Sequence, residues 1–270
     1  METPKLMIGT FQNKNYKSLL DVVRVSVENG FFGFDTAPSY GTELYLGRAI
    51  RECCNAMNLK RENFFLSDKV DAWQMYKSDG EIRPYVENAL KKIDTEYIDL
   101  LYIHWPIDKY LDKTWRCFME LVSEGIVKNV GICNVRVRHL KQWESRGINP
   151  NYVQIERHPL RTCSAELDYC AQHKIKVFAY SPLCRMHPMI KDSSYLESLS
   201  EKYKKKVAQI ILRWHIDSGV IPVFMSTKPS RIKENIDIFD FSLTDEEINV
   251  ISSMNQNYKI FLESWGCPGF

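Results

Sequence analysis

The chain has 270 residues, 44% hydrophobic and 26% charged, enough to bury a sizeable core. Its 36 basic and 34 acidic side chains leave a net charge of +2, which offers no electrostatic basis for binding nucleic acid. The 8 cysteines show no Cys-x-x-Cys and no paired framework, no run approaches membrane-spanning length, and the first residues are not a signal peptide. The reading is a protein of a reducing cytoplasm with free thiols and no metal site.

In chain order, residues 5–9 form a short apolar run of strand type, followed by a helix over 16–28 that carries Leu19, Leu20, Val23 and Val27 on one stripe and stops at Asn29-Gly30. The alternation then repeats. Strands at 31–34, 64–67, 98–103 and 127–132 lead into helices at 43–55, 82–93, 111–122 and 137–144. Strands at 152–155, 177–179 and 220–223 lead into helices at 165–173, 207–216 and 230–238. Thr244-Asp245-Glu246-Glu247 is a capping box that opens one further helix to Met254. The lysine-rich stretch 201–206 reads as a solvated helix face.

The strands are rich in Val, Ile, Phe and Tyr and continuously apolar, as in parallel sheets buried on both faces. Eight strand–helix units without a Pro/Gly/Ser-rich linker imply a (β/α)8 TIM barrel, an α/β fold of one domain over residues 1–270. An open doubly wound sheet would carry Gly-x-Gly-x-x-Gly after the first strand, and Gly9-Thr10-Phe11-Gln12-Asn13 is not that turn.

Barrel chemistry sits at the C-terminal strand ends. Those positions hold Asp35, Lys69, His104, Cys133-Asn134, Gln154 and Glu156, Tyr180-Ser181, and Ser226. A buried acid needs a cation, and Lys69 from the adjacent strand supplies one for Asp35. With Tyr40 five residues on, the set reads as a proton-delivery device. Lys69 is expected to lower Tyr40 from about 10 toward neutrality, while His104 donates to a carbonyl oxygen gaining charge.

The motif Asp-Thr-Ala-x-x-Tyr-Gly-x-Glu, from Asp35 to Glu43, resembles the aldo-keto reductase family. So do Leu101-Tyr102-Ile103-His104-Trp105-Pro106, Gly131-Ile132-Cys133-Asn134, Val153-Gln154-Ile155-Glu156, Ala179-Tyr180-Ser181-Pro182-Leu183 and Arg231-Ile232-Lys233-Glu234-Asn235. The resemblance implies a nicotinamide cofactor lying extended over the barrel mouth and hydride transfer to a substrate carbonyl. It makes Tyr40 the proton donor, Asp35 and Lys69 its tuners, and His104 the orienting donor. Asn134 and Gln154 are then expected to hold the carboxamide and Tyr180 to stack on the nicotinamide, with Ser181, Leu183, Ser226, Arg231, Glu234 and Asn235 along the rest of the cofactor.

Three departures from the family pattern stand out. Cys133 replaces the usual serine before Asn134, a weaker donor whose grip on the carboxamide is expected to be looser. Val223-Phe224-Met225-Ser226 replaces Ile-Pro-Lys-Ser, so the lysine that pairs with the 2′-phosphate is missing, although Arg231 remains and Lys228 is near. The expectation is NADPH, with NADH possible. Third, the family's N-terminal hairpin is expected to be absent, leaving a barrel floor that is open or covered by another subunit.

Phe11, Trp73 and Trp105 are the expected pocket walls, with Arg185, His187 and Trp265 as candidates to reach over the mouth. Asp71 hints at a polyol or sugar-like substrate. The function read from the sequence is reduction of a small aldehyde, ketone or sugar by a monomer or weak homo-oligomer. The alternatives are an NAD(P)-dependent alcohol or aldose dehydrogenase running in reverse, a nicotinamide-sensing regulatory subunit, and, more remotely, a barrel isomerase or lyase.

Overall fold

The computed structural model describes residues 2–262. Eight parallel strands close into a barrel in sequence order, with the last pairing back to the first. They are β1 Met7–Gly9, β2 Gly33–Asp35, β3 Phe65–Val70, β4 Leu100–Ile103, β5 Val130–Cys133, β6 Tyr152–Glu156, β7 Lys176–Tyr180 and β8 Ile221–Phe224. Helices follow each strand, as expected of a (β/α)8 barrel, and Asp245–Ser253 is the added C-terminal helix. Among the described residues no strand precedes β1.

Side chains alternate between the two sides of the barrel wall. On β3, Phe65 joins Met7, Leu100, Tyr102, Cys133 and Phe178 inside, whereas Leu66 and Val70 pack outward against helices. Ser67 and Lys69 follow Phe65 at every second position and therefore face inward above this apolar plug, where both reach Asp35. The plug closes because β5 carries glycine. A Cβ on Gly131 would lie 2.6 Å from both the Tyr102 ring and the Tyr152 carbonyl oxygen.

The helix Tyr16–Glu28 begins where Asn15 Oδ1 accepts the Ser18 N–H at 2.9 Å, and it buries Leu19, Val22, Val23 and Val27. Its bounds and those of Val137–Glu144 match the sequence reading. Strand ends differ. β2 and β3 continue to Asp35 and Val70 because their polar residues stay in the ladder, Asp35 opposite Ser67 and Lys69 opposite Tyr102. Ile98 and Val127 form only an isolated bridge.

Three helices were not anticipated: Ala72–Lys77, Pro188–Lys191 and Ser194–Tyr203. The first two are too short to display a period. The third buries only Leu196 and Leu199, a thin stripe. It also corrects the reading of the lysine run as a helix face. The helix ends at Tyr203, Lys204 turns left-handed, and the next helix starts at Val207. Lys202 pairs with Glu247, Lys205 with Asp237 and Asp240, and Lys206 with Glu234, so these lysines tie helix junctions together.

Candidate active site

The site starts where β2 ends at Asp35. Beyond it, the hydroxyls of Thr10, Thr36 and Thr42 form a buried triangle at 2.7–3.0 Å that fixes the loop. The chain then makes a short 3-10 turn, Pro38–Tyr40, closed by Gly41 at φ 67°, where glycine carries no Cβ penalty. This turn swings Tyr40 back over the barrel mouth, with the Lys69 ammonium 4.9 Å from its ring centre.

Lys69 Nζ donates to Asp35 Oδ1 at 2.6 Å and to the Thr36 carbonyl at 2.8 Å. Asp35 Oδ2 accepts from Ser67 Oγ at 2.7 Å and Gln154 Nε2 at 3.0 Å. Burial alone would lower the lysine's affinity for its proton. The Asp35 charge and hydrogen bond, with Tyr40 beside them, outweigh burial and hold Lys69 firmly as a cation. The expected depression of Tyr40 toward neutrality is not what results. Burial pushes the phenol up, Lys69 lowers it, Asp35 raises it again, and the net position is above the ordinary tyrosine value. Because Asp35 neutralises Lys69, little net positive charge is left to pull on the phenol.

His104 follows β4, its ring 5.8 Å from that of Tyr40. Its Nδ1 lies 2.5 Å from Asp71 Oδ1. Asp71 also accepts from the Ser39 backbone N–H at 2.8 Å, the Ser39 hydroxyl at 3.2 Å and the Trp73 indole N–H at 3.3 Å. This corrects the view of Asp71 as a hint of a sugar-like substrate, since its carboxylate is buried and bound to the protein. Burial would raise Asp71, but the bonds from His104 and Ser39 prevail and hold it below its usual range. Trp73 is also corrected. It is 45% exposed, packs on Tyr85 and does not line the cleft.

A cleft of about 670 Å³ opens above these groups, within the range of small-molecule sites. Phe11, Tyr40, His104 and Trp105 line one part of it, and Asn134, Gln154, Tyr180, Ser181, Leu183 and Arg231 another. Tyr180 donates its hydroxyl proton to Asn134 Oδ1 at 2.7 Å, and Asn134 Nδ2 donates to the His104 carbonyl at 2.9 Å. The cleft therefore offers an aromatic face next to an amide, and a guanidinium for a phosphate, a donor set that fits a nicotinamide dinucleotide. Ser226, Glu234 and Asn235 lie off the lining. Ser226 bonds the Lys228 N–H, Glu234 pairs with Lys206, and Asn235 is buried. Cys133 forms part of the floor, and burial pushes its thiol well up, which removes it as a nucleophile.

Two site features went unread in the sequence. Phe261 lines the cleft, its ring 6.1 Å from Phe11 and 5.8 Å from Tyr180, with the Arg185 guanidinium over its face. Glu156 holds that tail segment in place, accepting the backbone N–H of Ile260 at 2.6 Å and of Phe261 at 2.9 Å. His187 packs on Tyr258 outside the cleft lining, and Trp265 falls outside the described residues. The described cysteines are all free, no described group of acids, cysteines and histidines could hold a metal, and no described helix is long and apolar enough to cross a membrane.

A closed barrel with an Asp–Lys–Tyr–His cluster at its C-terminal mouth defines a class of oxidoreductase, and comparison with known proteins agrees. The model of the Aldo/keto reductase family matches residues 5–256. The chain belongs to that family and is an oxidoreductase. It is 35% identical to the uncharacterized oxidoreductase YtbE of Bacillus subtilis over 96% of this chain and 92% of that protein. It is 34% identical to the methylglyoxal reductase DkgA of Escherichia coli over 95% of this chain and 91% of the relative. The solved structure of a Bombyx mori aldo-keto reductase in complex with NADP superposes with a TM-score of 0.88 at 29% identity, covering 97% of this chain and 92% of that one.

Proposed function

We propose that this protein reduces the carbonyl group of a small aldehyde, ketone or sugar to an alcohol, with NADPH as cofactor and Tyr40 as proton donor. The observation that carries the reading is the buried Lys69–Asp35 pair at 2.6 Å set against Tyr40. The nicotinamide supplies a hydride when bound. Tyr180 and Asn134 hold its ring end, and Arg231 takes the 2′-phosphate. Tyr40, held above its ordinary value, keeps its proton until the carbonyl oxygen gains negative charge, and Lys69 stabilises the phenolate left behind. The name of the methylglyoxal reductase relative supports a compact, reactive carbonyl as substrate. With Met225 on the cleft lining where the resemblance leads one to expect a lysine, the preference for NADPH over NADH is modest.

The test follows nicotinamide absorbance against a panel of small aldehydes, ketones, dicarbonyls and sugars, for the native protein and Tyr40→Phe. The expected loss in the variant is about 10²–10⁴-fold. Equal rates would remove Tyr40 from the reaction, and no turnover by the native protein would favour a nicotinamide sensor.

A further inference from the structure

Asp71 is held by donors whose protons do not move at ordinary pH. Ser39 N–H and Trp73 Nε1–H point at Oδ2, and the Ser39 hydroxyl points at Oδ1, beside His104 Nδ1. A carboxylate that accepts three such bonds stays ionised, so the proton between it and the imidazole belongs to Nδ1. The other ring nitrogen, Nε2, then carries a proton only when the ring is an imidazolium. The His104 ring lines the same cleft as Tyr40.

We propose that Asp71 is a positioning residue that locks His104 in its Nδ1–H form, so that the neutral ring meets the substrate oxygen as an acceptor and becomes a donor only as an imidazolium balanced by Asp71. The inference rests on the carbonyl-reductase reading and deepens it. In reduction, the hydride's electron pair forms the new C–H bond, and the carbonyl π pair takes the Tyr40 proton to form O–H. His104 loses and gains no proton in that step. Its charge decides whether it helps, since an oxygen becoming negative needs a donor, whereas an alcohol about to be oxidised donates to a bare Nε2. Acid therefore favours the reductive direction at this residue and alkali the oxidative one.

The charged and titratable groups around the ring are Asp71 at the end of β3, Lys69 within β3, Asp35 at the end of β2 and Tyr40 on the loop after it. Lys259 lies over the neighbouring Trp105 ring. Burial and Lys69 oppose the imidazolium, Asp71 and Asp35 favour it, and the balance leaves His104 below the ordinary histidine value.

Long-range proton–nitrogen NMR of the free protein reads the tautomer without cofactor, with the His104 signals identified as those lost in His104→Gln. Above the ring's pKa the native protein is expected to carry the proton on Nδ1. In Asp71→Asn the Ser39 N–H keeps the amide oxygen in the place of Oδ2, so the amide NH₂ faces Nδ1 and the ring proton moves to Nε2. The reductive kcat of the native protein is expected to fall about tenfold per pH unit above the His104 pKa, and that of Asp71→Asn to stay level over the same range. An Nε2–H ring in the native protein overturns the proposal, as does a reductive pH profile that the substitution leaves unmoved. If Asp71→Asn does not fold, the native spectrum alone decides. If the native protein turns over no carbonyl, the reductase reading fails by itself, and the NMR tautomer still decides for or against the lock.

Discussion

Lys69 Nζ lies 2.6 Å from Asp35 Oδ1, with the two side chains 0% and 4% exposed. Two charges so placed tolerate burial only together, because removing one leaves the other without water or partner. Asp35→Asn is expected to cost about 3–5 kcal/mol in urea unfolding. Asp35→Asn combined with Lys69→Met is expected to cost clearly less than the sum of the single changes, since the stranded ammonium goes too. A double-mutant cycle makes the measurement. A strictly additive cycle would mean that the two charges are not coupled.

Arg231 is exposed along the cleft that Met225 also lines. If its guanidinium takes the 2′-phosphate, Arg231→Ala removes a charge-assisted bond that NADH never makes. NADPH affinity is expected to fall about 10–100-fold, with NADH affinity within about twofold of native. Met225→Lys should widen the preference for NADPH. Fluorescence titration with each dinucleotide gives both constants. Equal weakening of the two would assign Arg231 to the shared diphosphate.

The barrel is legible in the sequence because each helix stripe is punctuated. Tyr16–Glu28 has Asn15 before it and Asn29-Gly30 after it, and Val137–Glu144 ends shortly before Gly147. Strand ends are less legible because Lys69 and Asp35 look like the close of an apolar run while the ladder continues through them. Asp71 sits two residues from Lys69, but sequence distance does not say which way it turns. Gln74 Oε1 accepts the Asp71 backbone N–H at 2.8 Å where the helix Ala72–Lys77 starts, and the carboxylate itself turns away to Ser39 and His104. The same helix carries Trp73 toward Tyr85 and off the cleft. The tail clamp joins residues 104 and 105 positions apart and has no local signature.

His215 is fully buried beside Arg157, whose guanidinium donates to Nδ1 at 2.8 Å, while Nε2 donates to the Pro182 carbonyl at 3.3 Å. Burial, and then the Arg157 charge, hold the ring well below its ordinary 6.5. The unfolded chain binds this proton first as pH falls, so the stability is present above 6.5 and is lost on acidification below it. His104, also lowered, acts with the same sign. Stability is expected to drop between pH 7.5 and 5 with a slope of up to about 1.4 kcal/mol per pH unit for each ring. His215→Gln should flatten that slope whatever its own stability. Urea unfolding at several pH values provides the check, and an unchanged slope would show that another group titrates there.

Glu156 places one carboxylate oxygen on each of two successive backbone N–H groups, Ile260 at 2.6 Å and Phe261 at 2.9 Å. Glutamine has one acceptor atom where glutamate has two, so Glu156→Gln leaves one of those N–H groups facing an NH₂. The tail keeps its bonds from Gln256 and Tyr258 to the Leu160 carbonyl, and the loss stays local. Exchange of the amides at 260 and 261 is expected to quicken about 10–100-fold. Because Phe261 rests on Phe11 and Tyr180, the pocket wall loosens with them, and KM should rise more than kcat falls. Phe261→Ala separates the two roles, raising KM while the amides stay protected. Hydrogen exchange and steady-state kinetics on both variants make the comparison. Native exchange rates in Glu156→Gln would mean that the Leu160 bonds hold the tail without the clamp.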